Sequence, residues 1–144
     1  MNRLAGSAAV SLISLCCLSA PAFACDPKHP EDFTAFFTKF SDDKDFALSR
    51  TVYPSVRTRF EYRMEDGKQQ ITERQRKVAR QDDARFPALG EYMKSIGLES
   101  KPQEVSKNEA VVEVSKPGTR GLATYHFSLA RGCWFLREVQ NHSL

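Results

Sequence analysis

The stretch Val56-Arg57-Thr58-Arg59-Phe60-Glu61-Tyr62-Arg63-Met64 changes character at every step. Val56, Thr58, Phe60, Tyr62 and Met64 fall on one side of a two-residue period, and Arg57, Arg59, Glu61 and Arg63 on the other. Such alternation marks a β-strand with one face on a core and one toward water. The first set is therefore expected to face the core and the arginines to face solvent. Glu65-Asp66-Gly67-Lys68 reads as a turn, with Gly67 free to take positive φ, and Gln69 to Thr72 as the start of an antiparallel return strand.

Upstream, the period is helical. In Glu31-Asp32-Phe33-Thr34-Ala35-Phe36-Phe37-Thr38-Lys39-Phe40 the four phenylalanines stand at i, i+3, i+4 and i+7, one aromatic stripe, with Glu31 and Asp32 in the first turn where the helix dipole favours them. Ser41 to Asp45 reads as a cap and solvated turn without the glycine and distant glutamate of a calcium loop. Asp45 to Arg50 reads as one more short helical turn, with Arg50 closing its end against a sheet.

Downstream, Glu73 to Asp83 is polar all round and fits either a continued strand or a solvated helix. Phe86 to Ile96 carries a short apolar helical face ended by Gly97, and Ser100 to Asn108 reads as a loop. Period two then returns in Glu109 to Ser115, Leu122 to Leu129 and Cys133 to Val139, joined by turns at Pro117-Gly118 and Arg131-Gly132. Strands joined by short turns pair antiparallel. Helices first and a meander last give an α+β fold, N-terminal helices packed on a curved antiparallel sheet. Trp134 is expected in the core, opposite the aromatic stripe.

The first 24 residues have a different composition. Arg3 precedes an apolar run from Ala8 to Leu18, and Pro21 precedes Ala22-Phe23-Ala24. This is the order of a signal peptide, and about 11 apolar residues are too few to span a bilayer. The expected division is 1–24 as an export leader and 25–144 as a single domain, located in the periplasm or secreted. Roughly 120 residues suffice for one core but not for a second lobe, which excludes a closed β/α barrel or a two-lobed enzyme. No transmembrane span is expected after processing.

Cys16 and Cys17 leave with the leader, so Cys25 and Cys133 are expected to pair in an oxidising compartment. The alternative is a lipid anchor at Cys25, because Ala22-Phe23-Ala24-Cys25 also fits a lipoprotein acylation box with Ala22 in place of the usual leucine. The chain of 144 residues has a formal net charge of +3, one less when Arg3 leaves, and does not argue for nucleic acid. The basic run at Arg74, Arg76, Lys77 and Arg80 lacks interleaved aromatic platforms.

In order, Phe33-x-x-Phe36-Phe37-x-x-Phe40-x-x-Asp43-x-x-Phe46-Ala47-Leu48-Ser49-Arg50-x-x-x-Tyr53-Pro54, then Tyr125-x-Phe127 and Trp134-x-Leu136, resemble a family of small uncharacterised secreted bacterial proteins. The resemblance implies the cone-shaped α+β fold of the nuclear-transport-factor-2-like superfamily, with a pocket between helices and curved sheet. That pocket serves enzymes, ligand binding and protein association across the superfamily, so no catalytic residue is implied.

Candidate site residues are few. Arg50, Arg57, Arg59 and Arg63 carry guanidinium forks suited to carboxylate or phosphate. His126 is the one histidine in an expected strand and lies opposite Ala123, Tyr125 and Phe127 in the alternation. A proton-transfer role would need a carboxylate beside it, and none is near in sequence. His29 and His142 are terminal, no spacing marks a metal, and no cofactor motif is present. Ser49 and Ser55 lack a nucleophile elbow. The expected function is an exported envelope domain that binds a protein or small ligand without catalysis. Two alternatives are an immunity-type inhibitor of a periplasm-delivered toxin, and a small-molecule enzyme using the cone pocket.

Overall fold

The computed structural model describes residues 25–142; the reading of residues 1–24 as an export leader, with Cys16 and Cys17 in it, lies outside them. The elements are α1 (Phe33–Asp42), α2 (Lys44–Ser49), β1 (Thr51–Glu65), β2 (Lys68–Val78), α3 (Arg80–Asp83), α4 (Leu89–Ile96), β3 (Glu99–Val105), β4 (Glu109–Ser115), β5 (Ala123–Ala130) and β6 (Cys133–Asn141). Asp32 caps α1 by accepting from the Ala35 N–H at 2.9 Å, and Asp43 caps α2 by accepting from the Phe46 N–H at 2.9 Å. Glu31 therefore stands before the helix rather than in its first turn.

Six strands form one curved sheet in the order β2-β1-β6-β5-β4-β3. The expected hairpin β1–β2 and meander β4–β5–β6 are present and antiparallel. One pair departs from the expected antiparallel sheet, because β1 and β6 join their two groups in parallel. A parallel pair needs a long crossover, and here the chain between the two strands runs through β2, α3, α4 and β3 to β5. Their register shifts between Thr51 and Val56, the stretch that holds the cis Tyr53–Pro54 bond. The segment read as a loop after Ser100 is largely strand β3. Its charges and Pro102 disguise it, and both are tolerated there because it is an edge.

The α1 stripe forms the core with the concave face of the sheet. Phe33, Phe36, Phe40, Ala110, Val112, Phe127, Trp134, Leu136 and Val139 make one buried cluster. The Phe127 ring is its hub, meeting Phe33, Phe36, Phe37 and Phe40 edge-on at centroid distances of 5.2 to 5.9 Å. Gly90 lets α4 press against the end of α1, since a Cβ there would lie 2.9 Å from Asp42 Oδ1. Gly132 turns β5 into β6 at φ +82°, and a Cβ would meet the Asp26 carbonyl oxygen at 2.3 Å, so the N-terminal segment crosses directly over this turn. Cys25 and Cys133 are joined there in a disulfide with Cα atoms 5.2 Å apart.

The face assignment of β1 departs from the expectation at Arg57, whereas Thr58 is buried and Arg59 and Arg63 are exposed as expected. Arg57 is the cross-strand partner of Val139, a core residue, so the odd positions of β1 look into the cone. Thr58 bonds Glu138 and Phe60 stacks on His142 at 5.0 Å, both on the convex side. Alternation fixes which residues share a face but not which face turns inward, and here the inner face carries an arginine because a carboxylate meets it there.

Candidate functional site

The aromatic cluster fills one end of the cone, and the other end is open. A cavity of about 350 Å³ lies between α2, α3–α4 and the inner face of β1, β2, β5 and β6. Phe40, Leu48, Leu89 and Leu136 supply apolar wall; Tyr53, Arg57, Arg76, Asp83, Tyr92 and Tyr125 supply the polar groups. Volume and composition fit a small-molecule site, with mainly apolar walls and a few placed polar groups.

Asp83, the last residue of α3, organises the polar side. It accepts from Arg57 Nη2 at 3.0 and 2.9 Å, from the Tyr53 hydroxyl at 3.1 Å and from the Ser55 hydroxyl at 3.4 Å. The Arg57–Asp83 pair is largely shielded, with side-chain exposures of 26% and 12%. Burial, and then the negative charge of Asp83, push the Tyr53 phenol above its ordinary pKa. Burial pushes the Tyr125 phenol up as well, so both remain neutral at physiological pH. Tyr125 has no hydrogen-bond partner among the described residues, and its ring lines the cavity.

The arginines singled out from sequence separate into different environments. Arg57 lines the cavity. Arg50 is buried at the filled end, where Nη1 and Nη2 donate to the Glu31 carboxylate at 2.9 and 2.8 Å, and the guanidinium packs over Phe46 and Phe135. Glu31 also accepts from the Trp134 backbone N–H, and its carbonyl accepts from the indole N–H, each at 3.0 Å. Arg59 stands outward along the hairpin, its side chain 63% exposed and 4.0 Å from Glu61. Arg63 is exposed on the same arm, opposite Gln70.

His126 points away from the cavity. On the convex face, the Thr124 hydroxyl lies 3.2 Å from Nε2 of both His126 and His142. Cys25, Glu31 and Cys133 are the one grouping among the described residues with metal-ligand spacing. Its two sulfurs are taken by the disulfide and its carboxylate by Arg50 and Trp134. Sequence reading missed Tyr53, Arg76, Asp83 and Tyr92 as cavity groups. The one available signal was Tyr53-x-Ser55-x-Arg57, three polar residues on one strand face, which only Asp83 in space turns into a site.

No protein-family model matches the chain, and no curated protein matches it. Three solved structures are similar. A protein from Bacteroides uniformis is 20% identical over 78% of each chain, with a TM-score of 0.51. A cystatin-like protein from Bacteroides caccae is 22% identical over 79% of this chain and 78% of its own, also at 0.51. An NTF2-like protein from Bacteroides fragilis is 19% identical and matches 80% of this chain but 48% of its own, again at 0.51. At such identities the likeness bears on fold alone. The chain has the cone-like α+β fold of NTF2-like proteins.

Proposed function

We propose that this protein is an exported domain that holds a small ligand in the open end of its cone without performing chemistry on it. The observation that carries the reading is the cavity of about 350 Å³, apolar on one side and bearing a fixed Arg57–Asp83 pair on the other. Such a pair orients a ligand while costing no unpaired buried charge. The Cys25–Cys133 disulfide fits an oxidising compartment, in keeping with the leader. No helix among the described residues is long and apolar enough to cross a membrane.

The test uses a neutral apolar fluorophore, N-phenyl-1-naphthylamine. Saturable one-to-one binding by the folded protein is expected, and Ala88→Trp, which places an indole in the cavity wall, should abolish it. Absence of binding by folded wild-type protein would remove the reading. Export is tested separately by the intact mass of the processed chain, expected to begin at Cys25 without lipid. A diacylglycerol-sized increase would put the protein on a membrane face and leave Cys133 unpaired.

A second reading, association with a protein partner such as a delivered toxin, draws on the β1–β2 hairpin. Beyond Arg59 this arm pairs, among the described residues, only with itself, and it exposes Met64 at 67% and Ile71 at 60%. Exposed apolar side chains on a projecting arm are suited to contact with another macromolecule. Substituting both with Ser should abolish capture of that partner and leave fluorophore binding intact.

A further inference from the structure

We infer that the ligand is a small organic anion whose charged head lies at Arg57 and Arg76 and whose apolar body lies against Phe40, Leu48, Leu89 and Leu136. This rests on the reading of the cavity as a ligand site and adds the class of ligand. The argument begins with strand register. Arg57 is the direct cross-strand partner of Arg76, and Arg59 is the direct partner of Arg74. Two successive arginine pairs thus face each other on one side of a hairpin, an arrangement that is destabilising unless counter-charge is supplied.

The protein supplies some of that charge. Glu61 lies 3.3 Å from Arg74 and 4.0 Å from Arg59, which serves the outer pair. Asp83 serves the inner pair but reaches only Arg57. Arg76 has no ion pair or hydrogen bond among the described residues, yet its side chain lines the cavity. The cavity lining holds three cations, Lys44, Arg57 and Arg76, against the single acid Asp83, an excess of two positive charges.

That excess, with Arg76 exposed to solvent, shares the cavity lining with the Tyr125 phenol, which has no hydrogen-bond partner among the described residues and can donate one. A guanidinium and a phenol together suit a carboxylate, sulfonate or phosphate oxygen. A cationic ligand would meet uncompensated positive charge, and a neutral one would leave Arg76 as it is. The apolar wall on the α2 and α4 side accounts for the remainder of the molecule.

Two fluorophores that differ by one sulfonate separate the claims: 1-anilinonaphthalene-8-sulfonate and the neutral N-phenyl-1-naphthylamine. The anionic probe is expected to bind at least about tenfold more tightly at low salt, the scale of a hydrogen bond to a charged group. Arg76→Gln should remove most of that advantage and leave the neutral probe unchanged, and Ala88→Trp should displace both. Equal affinities for the two probes would overturn the anion assignment while sparing the ligand-site reading. Binding of neither would end both. Should Arg76→Gln fail to fold, the wild-type comparison of the two probes, with its loss at high salt, decides the matter alone.

Discussion

The two ends of the cone share one sheet and the same covering helices but are built on opposite terms. At the filled end, rings meet rings. Phe33 lies edge-on to Trp134 at 5.0 Å, and the helical phenylalanines surround Phe127. The Arg50 guanidinium enclosed with them is paired, since Glu31 satisfies Arg50 and the Trp134 backbone N–H at once. At the open end three tyrosines line the cavity beside Phe40 and Phe86, the walls stand apart, and Arg76 and the Tyr125 hydroxyl are left without hydrogen-bond partners among the described residues. The contrast teaches that the inside of a cone of this fold can be half core. The portion that keeps its volume is the portion whose side chains carry polar ends.

The largest expected effect belongs to the filled end. Trp134→Ala should cost about 3 to 5 kcal/mol, through lost transfer free energy and a cavity that the surrounding rings cannot close. A urea midpoint measures it. A cost below about 1 kcal/mol would mean that the aromatic end is as forgiving as the open one, and the contrast would fail.

Glu31→Ala should follow at about 3 kcal/mol, because it strands the Arg50 guanidinium in a buried place and removes the acceptor of the Trp134 N–H. The chain has one tryptophan, so its intrinsic emission reports on this end alone. The emission maximum is expected to shift to longer wavelength in Glu31→Ala while affinity for the neutral fluorophore holds. Loss of both together would show the two ends to be one cooperative site.

Much of the filled end was legible in the sequence, and little of the open end was. Phe33, Phe36, Phe37 and Phe40 announce their shared face by spacing alone, and Trp134-x-Leu136 offers the opposing apolar positions. Core packing leaves a periodic trace because burial follows the geometry of a single element. The open end leaves none, because Tyr53, Asp83, Arg76 and Tyr125 come from four different elements and meet only in the fold. The same limit explains the inward turn of Arg57 on β1. A strand bearing Arg57 toward the cone reads as solvated until α3 brings Asp83 over it. Glu31 was misread for a related reason, since its two partners are 19 and 103 residues away.

A smaller effect should be seen with pH at the open end. The phenols of Tyr53 and Tyr125 have pKa values raised above the ordinary 10.0, mainly by burial. The unfolded chain therefore gives up these protons first as pH rises. The stability they contribute is complete below about pH 10 and is lost as pH climbs through the folded-state values. The urea midpoint should fall between about pH 9 and 11, and Tyr125→Phe should fall less steeply. Identical slopes for the two proteins would mean that Tyr125 is not shielded in the cavity wall.

The smallest expected effect is the most discriminating, because its sign depends on whether the cavity is occupied. In the free protein Arg76 faces Arg57 across the strands, and of the two arginines Asp83 is bonded only to Arg57. Arg76→Gln should relieve that repulsion and stabilise the protein by about 0.2 to 0.5 kcal/mol at low salt, the scale of a cross-strand charge pair. The gain should vanish near 1 M salt, where the Debye length falls to about 3 Å. With saturating 1-anilinonaphthalene-8-sulfonate the order should invert. Wild type binds the anion more tightly and is stabilised more by mass action, whereas Arg76→Gln gains little. Thermal midpoints of both proteins, at low and high salt and with and without the probe, give the full comparison. If Arg76→Gln is destabilised by more than about 1 kcal/mol without probe, Arg76 is a structural member of the hairpin, as Arg50 is of the filled end, and the anion assignment loses its support.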